Sequence, residues 1–185
     1  PSEYYEAIEN EFAKLHKLYI ADGHHRAKSA SRAKEEKMKA NPHHNGSEEY
    51  NYFIAVLFPE DQLKILPYNR VVFDLNGLSK ADFMDSVAQK FTVTKTDNKE
   101  PGTKNTFCMY IEKEWFVLKP RDSVFASLSL EKSVGEKLDV SILQNFLLNP
   151  VLGIDDPRTN TRIDFIGGIR GTKELEKLVD SGKAA

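Results

Sequence analysis

Between Asn41 and Ser47 the chain reads Asn-Pro-His-His-Asn-Gly-Ser. Pro42 removes a backbone donor, Gly46 admits a left-handed backbone, and the asparagines compete for local hydrogen bonds. Neither a helix nor a sheet ladder runs through such a stretch, so it divides the chain into residues 1–45 and 46–185. The 185 residues amount to one domain or slightly more, at roughly 150 residues per domain. A chain with 40% hydrophobic and 29% charged residues is globular, not disordered or collagen-like. No run of about 18 apolar residues occurs, so no membrane-spanning helix is expected. The single cysteine cannot build a disulfide framework, which makes the reducing cytoplasm the expected compartment. The 26 basic residues are balanced by 28 acidic ones, and the net charge of −2 weighs against a nucleic-acid coat.

Hydrophobic spacing then places the elements. Residues 3–16 read as an amphipathic helix with Tyr5, Ile8, Phe12 and Leu15 on one face and Ser2 as its cap. Leu18 to Ala21 reads as a short strand and His24 to Ala40, rich in Ala, Lys and Glu, as a helix. Aromatic and β-branched runs predict strands at Tyr50–Phe58 and within Leu63–Asp74, the second bent by Pro67. Ser79 caps a helix to Phe91 with Phe83, Val87 and Phe91 inward, and Asp82 nearly completes a capping box. A strand at Phe91–Thr94 and a hairpin, Thr106–Ile111 and Glu114–Lys119, follow. Asp139 caps an apolar helix over Val140–Leu148, Arg162–Ile166 is a strand, and Thr172 caps a last helix. The order is irregular and without repeats. The expected fold is therefore α+β, a mixed sheet flanked by helices, with a strand–turn–helix phosphate-binding motif near the N-terminus.

That motif is Leu18-Tyr19-Ile20-Ala21-Asp22-Gly23-His24-His25-Arg26. Gly23 permits a positive φ and a close backbone approach to a ligand. The first helical turn leaves N–H groups unpaired at the positive end of the helix dipole, which suits an anion and phosphate above all. His24, His25 and Arg26 add donors at the same end. Cations there run against the dipole at about 0.3–1 kcal/mol each, a cost that a bound anion would offset. The plain alternative is a solvated strand–helix turn.

The Asp22–Arg26 sequence resembles the phosphate-binding motif of the ParB/sulfiredoxin-like superfamily, whose free serine kinases carry Asp-Gly-His-His-Arg. It also resembles a bacterial and archaeal family of unknown function defined by Ile-Ala-Asp-Gly-His-His-Arg. Leu66-Pro67-Tyr68-Asn69-Arg70, Leu152-Gly153-Ile154-Asp155-Asp156 and Ile163-Asp164-Phe165-Ile166-Gly167-Gly168 extend that second likeness. The resemblance implies that Gly23 and the amides after it cradle nucleotide phosphates, that His25 and Arg26 contact phosphate oxygens, and that Asp22 orients a hydroxyl, acts as a base or holds Mg²⁺ through water. His24 stands where sulfiredoxins have a nucleophilic cysteine, so sulfinic-acid reduction is not expected. Asp22 and His24 are the candidate catalytic residues; Gly23, His24, His25 and Arg26 are the candidate cofactor-binding residues, with ATP or ADP and Mg²⁺ as the implied cofactors. Residues 1–45 would be the C-terminal part of a ParB/sulfiredoxin-like region, packed against an α+β domain of 46–185. Leu18–Ile20 has no earlier strand to pair with, and family members are longer, so the chain is expected to be an excerpt of a longer protein.

Other clusters carry less. Adjacent histidines diverge by about 100° on a helix, so neither His24-His25 nor His43-His44 predicts a metal site, and the latter pair reads as a solvated loop. Arg26, Lys28, Arg32, Lys34, Lys37 and Lys39 could follow a polyanion, but no aromatic side chains interleave to stack bases; a solvated face is the plainer reading. Asp155, Arg158, Arg162, Asp164 and Arg170 surround Gly167-Gly168 and form a candidate second anion site, against ordinary ion pairing. Tyr68-Asn69-Arg70 reads as packing, and Cys108 as a small packing residue rather than a nucleophile. The functional expectation is a nucleotide- or phosphate-binding protein, with phosphoryl transfer to a small hydroxylated metabolite such as serine as its reaction. A non-catalytic regulatory module and a ParB-like DNA-associated protein are the alternatives.

Overall fold

The structure is a computed structural model that describes residues 2–128 and 133–185. The chain divides into two compact units, Pro1–Leu63 and Lys64–Ala185.

The first unit is helical. α1 spans Tyr5–Ala13 behind a 3-10 turn at Ser2–Tyr4, so Tyr4, not Ser2, stands at its N-cap. α2 spans His24–Ala40, as its composition predicts. Leu18–Ala21 and Tyr52–Phe58 form no ladder, so the two strands expected there are absent. Both stretches have strand-forming side chains, but a strand needs a neighbour to take its backbone bonds, and this unit holds no ladder among its described residues. No described residue of the unit is buried. Its apolar side chains face outward, with Tyr19 80% and Ile54 90% exposed. The 41–47 loop is pinned from within: His44 Nδ1 lies 2.8 Å from the Tyr50 hydroxyl and 3.0 Å from Glu48, and Glu48 accepts the Asn45 and Gly46 amides. His44 is therefore a half-buried structural residue, where a solvated loop was expected.

Among its described residues the second unit holds five strands in two antiparallel sheets rather than one mixed sheet. β1 (Tyr68–Val72) pairs with β5 (Ile163–Gly167), and Tyr68 faces Gly167 in register. β2 (Phe91–Lys95), β4 (Glu114–Pro120) and β3 (Phe107–Ile111) form the other sheet in the order β2-β4-β3. The β3–β4 hairpin turns on Glu112 and Lys113, both at positive φ (44° and 65°). That is the two-residue turn whose twist matches a right-handed ladder, made here without glycine. α3 (Lys80–Ala88) begins at Ser79, whose hydroxyl accepts the Asp82 amide and donates to the Asp82 carboxylate. This reciprocal bonding fulfils the capping expectation. α4 spans Asp122–Ser127. α5 (Asp139–Leu143) continues as a π-helical turn over Gln144–Leu148, and α6 spans Thr172–Asp180.

Two expected caps are displaced by one residue: Leu138 and Gly171 occupy the N-cap positions of α5 and α6. Asp139 instead accepts the Asn105 amide across 34 residues of sequence, a tertiary bond that a local capping rule does not see.

One core joins the faces of both sheets. Phe83 and Val87 of α3, Phe91, Ile111, Leu118, Ile142, Leu147, Leu148 and Ile163 pack together, with Val87 and Phe91 fully enclosed. Burying one such side chain is worth about 1.5–3 kcal/mol. On the other side, Val71 and Ile166 pack against Leu175, Leu178 and Val179 of α6. The turn that leads from β5 to α6 is held by a backbone contact at Gly168. A Cβ placed there would lie 2.6 Å from the Pro67 carbonyl oxygen. Replacing Gly168 with Ala is expected to destabilise this unit by about 1–3 kcal/mol, lowering the Tm by several degrees, whereas Gly102→Ala, which meets nothing within 4 Å, leaves it unchanged. Thermal denaturation followed by circular dichroism checks both.

Candidate functional site

The start of α2 carries the polar groups singled out in the sequence. Gly23 is its N-cap at φ 86°, ψ 24°, a left-handed conformation that glycine adopts without strain. No side chain caps the helix. The Gly23 amide donates to Asp22 Oδ1 at 2.7 Å, and the Gly23 carbonyl accepts the Ala27 amide at 2.9 Å. The amides of His24, His25 and Arg26 have no hydrogen-bond acceptor among the described residues. The first turn thus exposes unpaired donors at the positive end of a 17-residue helix.

Arg26 folds back over the cap. Its Nη2 lies 3.4 Å from Asp22 Oδ2, one helical turn earlier, with both side chains largely in solvent. The guanidinium fills the space that a Cβ on Gly23 would enter, at 3.0 Å. Asp22 supplies the negative charge that the dipole favours at this end, and Arg26 the fork that a phosphate would take. A pair this exposed is weak, so Arg26 is free to exchange one oxyanion for another. His24 and His25 are both exposed, and their side chains make no hydrogen bond among the described residues. The structure brings Asp22, Gly23 and Arg26 together and leaves the imidazoles beside them in water. The basic residues farther along α2 are likewise exposed.

The residues of the second expected cluster go to separate partners. Arg158 grips Asp156 through Nε at 2.9 Å and Nη2 at 2.8 Å, holding the Asp156 carboxyl at a pKa of about 2. Arg162 reaches Asp74 with Nε at 2.9 Å and with Nη2, and its Nη1 donates to the Leu152 carbonyl at 2.8 Å. Asp155 and Asp164 accept the amides of the residues that follow them. Nε, Nη1 and Nη2 of Arg162 and Nε and Nη2 of Arg158 thus bond within the protein.

Sequence reasoning missed a cavity of about 290 Å³ inside the second unit, lined by both β1 and β3 and floored by Leu143, Leu147 and Leu152. Arg70 lines it, with its guanidinium 5.9 Å from the Tyr68 ring centre and 5.4 Å from that of Phe165. Burial pushes the Arg70 pKa down from its ordinary value. No carboxylate pairs with it among the described residues. An arginine on the same strand face as Tyr68 and Val72, in a run otherwise apolar, was the only signal available. Cys108 also borders the cavity. Burial, and after it the charge of Glu100, raises its thiol pKa, which agrees with a packing role.

A family profile described as "Protein of unknown function (DUF1015)" matches residues 2–141. The chain belongs to this family. The match takes in the Asp22–Arg26 helix start and runs through β1 to the first residues of α5. No curated protein and no solved structure matches the chain. Among the described residues no helix is long and apolar enough to cross a membrane, and no group of three or more His, Cys, Asp or Glu side chains could hold a metal ion.

The Arg162–Asp74 pair yields a pH prediction. The Arg162 hydrogen bonds, and then the Asn76 amide, hold the Asp74 pKa at about 2, against an ordinary 3.8. A carboxylate depressed in the folded state stabilises above its unfolded pKa and loses that contribution as pH falls through its folded pKa. The Tm gap between the wild type and Asp74→Asn is therefore expected to be constant above about pH 5 and to close between about pH 4 and 2. Thermal melts across that range check it. With the two side chains 48% and 29% exposed, added salt should narrow the gap as well.

Proposed function

We propose that this chain binds a phosphate-bearing small molecule, a nucleotide foremost, at the start of α2. The observation that carries this reading is the bare first turn: a left-handed Gly23 cap, three amides without acceptors, and the Arg26 fork beside them. Such a seat needs no further protein movement than release of Arg26 from Asp22. The residues present fit a phosphate. The absent Cβ of Gly23 lets the backbone approach the oxyanion, His24 and His25 can donate from the flanks, and the cationic first turn becomes favourable once an anion is in place. Likeness to the ParB/sulfiredoxin-like phosphate motif supports the same reading.

Phosphoryl transfer to a small hydroxylated metabolite, with serine as the analogue, is the reaction this seat would serve. ATP or ADP would bring the transferable group and Mg²⁺ would neutralise its charge. Asp22 would then orient the acceptor hydroxyl or hold the ion through water, and His24 would lie at the reacting end. One observation favours a second reading, of binding without chemistry. The Asp22 carboxylate is already engaged by the Gly23 amide and Arg26, and no group orients His24. On that reading the helix start is a sensor for a phosphate ligand. A DNA-associated role has less support, since the exposed bases of α2 lack stacking aromatics.

Isothermal titration of the 185-residue chain with ATP, ADP, CTP and inorganic phosphate, with Mg²⁺ present, tests the proposal. Binding is expected for at least one of these. Bonds to charged groups contribute about 1.5–3 kcal/mol, so Arg26→Ala should weaken it about ten- to a hundredfold. Absence of binding to every ligand, or an Arg26→Ala variant that binds as well as the wild type, removes this reading. Release of phosphoserine from serine and the bound nucleotide separates the catalytic from the sensing form.

A further inference from the structure

β1 is an edge strand of one sheet of the second unit and β3 an edge strand of the other, and both line the same cavity. The bond parity of each ladder can be worked out. The Phe73 amide donates to the Arg162 carbonyl, directly opposite it in the β1–β5 register. Narrow and wide pairs alternate in an antiparallel ladder, so Asn69 and Val71 bond to β5 while Tyr68, Arg70 and Val72 turn their N–H and C=O groups the other way. In the second sheet the two-residue turn at Glu112-Lys113 makes Ile111, Met109 and Phe107 the residues bonded to β4. Cys108 and Tyr110 then point their backbone groups outward.

Few of these outward groups are satisfied. The Val72 carbonyl accepts the Ala185 amide at 2.9 Å, and the Tyr68 carbonyl accepts a proton from the Arg70 guanidinium. The amides of Tyr68, Arg70 and Val72, the Arg70 carbonyl, and both backbone groups of Cys108 and Tyr110 have no hydrogen-bond partner among the described residues. Leaving such groups unpaired away from water is costly. Residues 68–72 and 107–111 all line the cavity, both faces of each strand included, so the cavity meets both strands edge-on. Its two lids are also in place. α6 covers one side of both sheets, through Leu175 and Val179 against β1 and through Asp180, which accepts the Tyr110 hydroxyl. The main core covers the other side.

We propose that this cavity is a binding slot for one extended strand of a partner polypeptide, which pairs with β1 on one edge and β3 on the other. The strand joins the two sheets into one, in the order β5-β1-partner-β3-β4-β2. Five residues on each wall limit its paired length to about 17 Å, and on β1 the guest meets the free amides of Tyr68, Arg70 and Val72 and the Arg70 carbonyl, the Val72 carbonyl being held by Ala185. Being covered on both faces, it carries apolar side chains in both directions, as the leucines, valines and methionine of the lining require. Arg70 fixes one further feature: a desolvated guanidinium with no carboxylate among the described residues calls for an acidic side chain on the neighbouring residue of the guest. Affinity then comes from main-chain bonds and specificity from this one charge, as in strand addition at other sheet edges. The slot lies wholly within Lys64–Ala185 and does not rest on the phosphate reading.

The test uses a capped seven-residue peptide of valines and threonines with one central glutamate, added to the 185-residue chain. It should bind, and hydrogen exchange should slow at least tenfold at the amides of Arg70, Val72, Cys108 and Tyr110. Methylating alternate peptide nitrogens should abolish binding, and a central lysine in place of glutamate should weaken it at least tenfold. Arg70→Glu should reverse that preference between the glutamate and lysine peptides. These peptide comparisons on the wild-type chain decide the matter even where Arg70→Glu fails to fold. No binding, or equal binding of the N-methylated peptide, overturns the proposal. So does octanoate giving the same protection, which would make the cavity a site for small carboxylates.

Discussion

The second unit depends on one clasp between residues far apart in sequence. Arg162 and Asp74 are 88 residues apart, and the chain between them contains every other strand except β1 and β5. Closing so long a loop is entropically unfavourable, though the cost grows only slowly with length. What must be strong is the specificity of the closure. Arg162 supplies it by bonding the Asp74 carboxylate with two nitrogens while its third reaches the Leu152 carbonyl. A lysine could hold one of these partners at a time, not all. The clasp sits where β1 ends and β5 begins, and the Phe73–Arg162 backbone bond continues the ladder into it. It therefore sets the register that places Val72 and Ile163 in the main core, and Val71 and Ile166 against α6. A slip by one residue would exchange those faces.

Elements whose stability is local could be read from the sequence. Ser79 and Asp82 satisfy each other within one turn, and the α3 core face of Phe83 and Val87 follows from helical spacing. The β3–β4 hairpin is likewise written in adjacent residues, although its turn uses Glu112 and Lys113 where glycine or asparagine would be usual. What could not be read depends on distant partners. Tyr52–Phe58 has the composition of a strand, yet composition does not create a neighbouring edge, and the segment stays outside any ladder. Asp139 looked like a cap because helical spacing begins after it. Its carboxylate answers the Asn105 amide instead. Within the expected cluster of Asp155, Arg158, Arg162, Asp164 and Arg170, the partners of the two central arginines could not be read along the chain. Folding sends its two central arginines to different carboxylates, one of them, Asp74, in a segment that gave no hint of it.

The Asp22–Arg26 helix start had the opposite character. Its geometry is almost entirely local, so the turn, the left-handed glycine and the helix boundary follow from five consecutive residues. What the local sequence does not determine is the company such a site keeps. His24 and His25 stand in water with no group to orient them among the described residues, and a catalytic imidazole needs such a partner.

Arg26 and Arg70 show how surroundings divide the roles of one side chain. Arg26 is solvated and paired loosely with the carboxylate one turn behind it, so it loses little by changing partners. Arg70 is stacked against Tyr68 and Phe165 and partly withdrawn from water, with no carboxylate paired to it among the described residues. A cation in that state has lost hydration without gaining a counter-charge. The backbone groups along the same edge have no ladder partner among the described residues. Both deficits lie along one wall, and β3 shows the backbone deficit across the same cavity. A small anion would answer Arg70 and leave the edges unpaired; an apolar molecule would fill the space and answer neither. A chain that brings its own N–H and C=O groups together with a carboxylate answers both deficits at once.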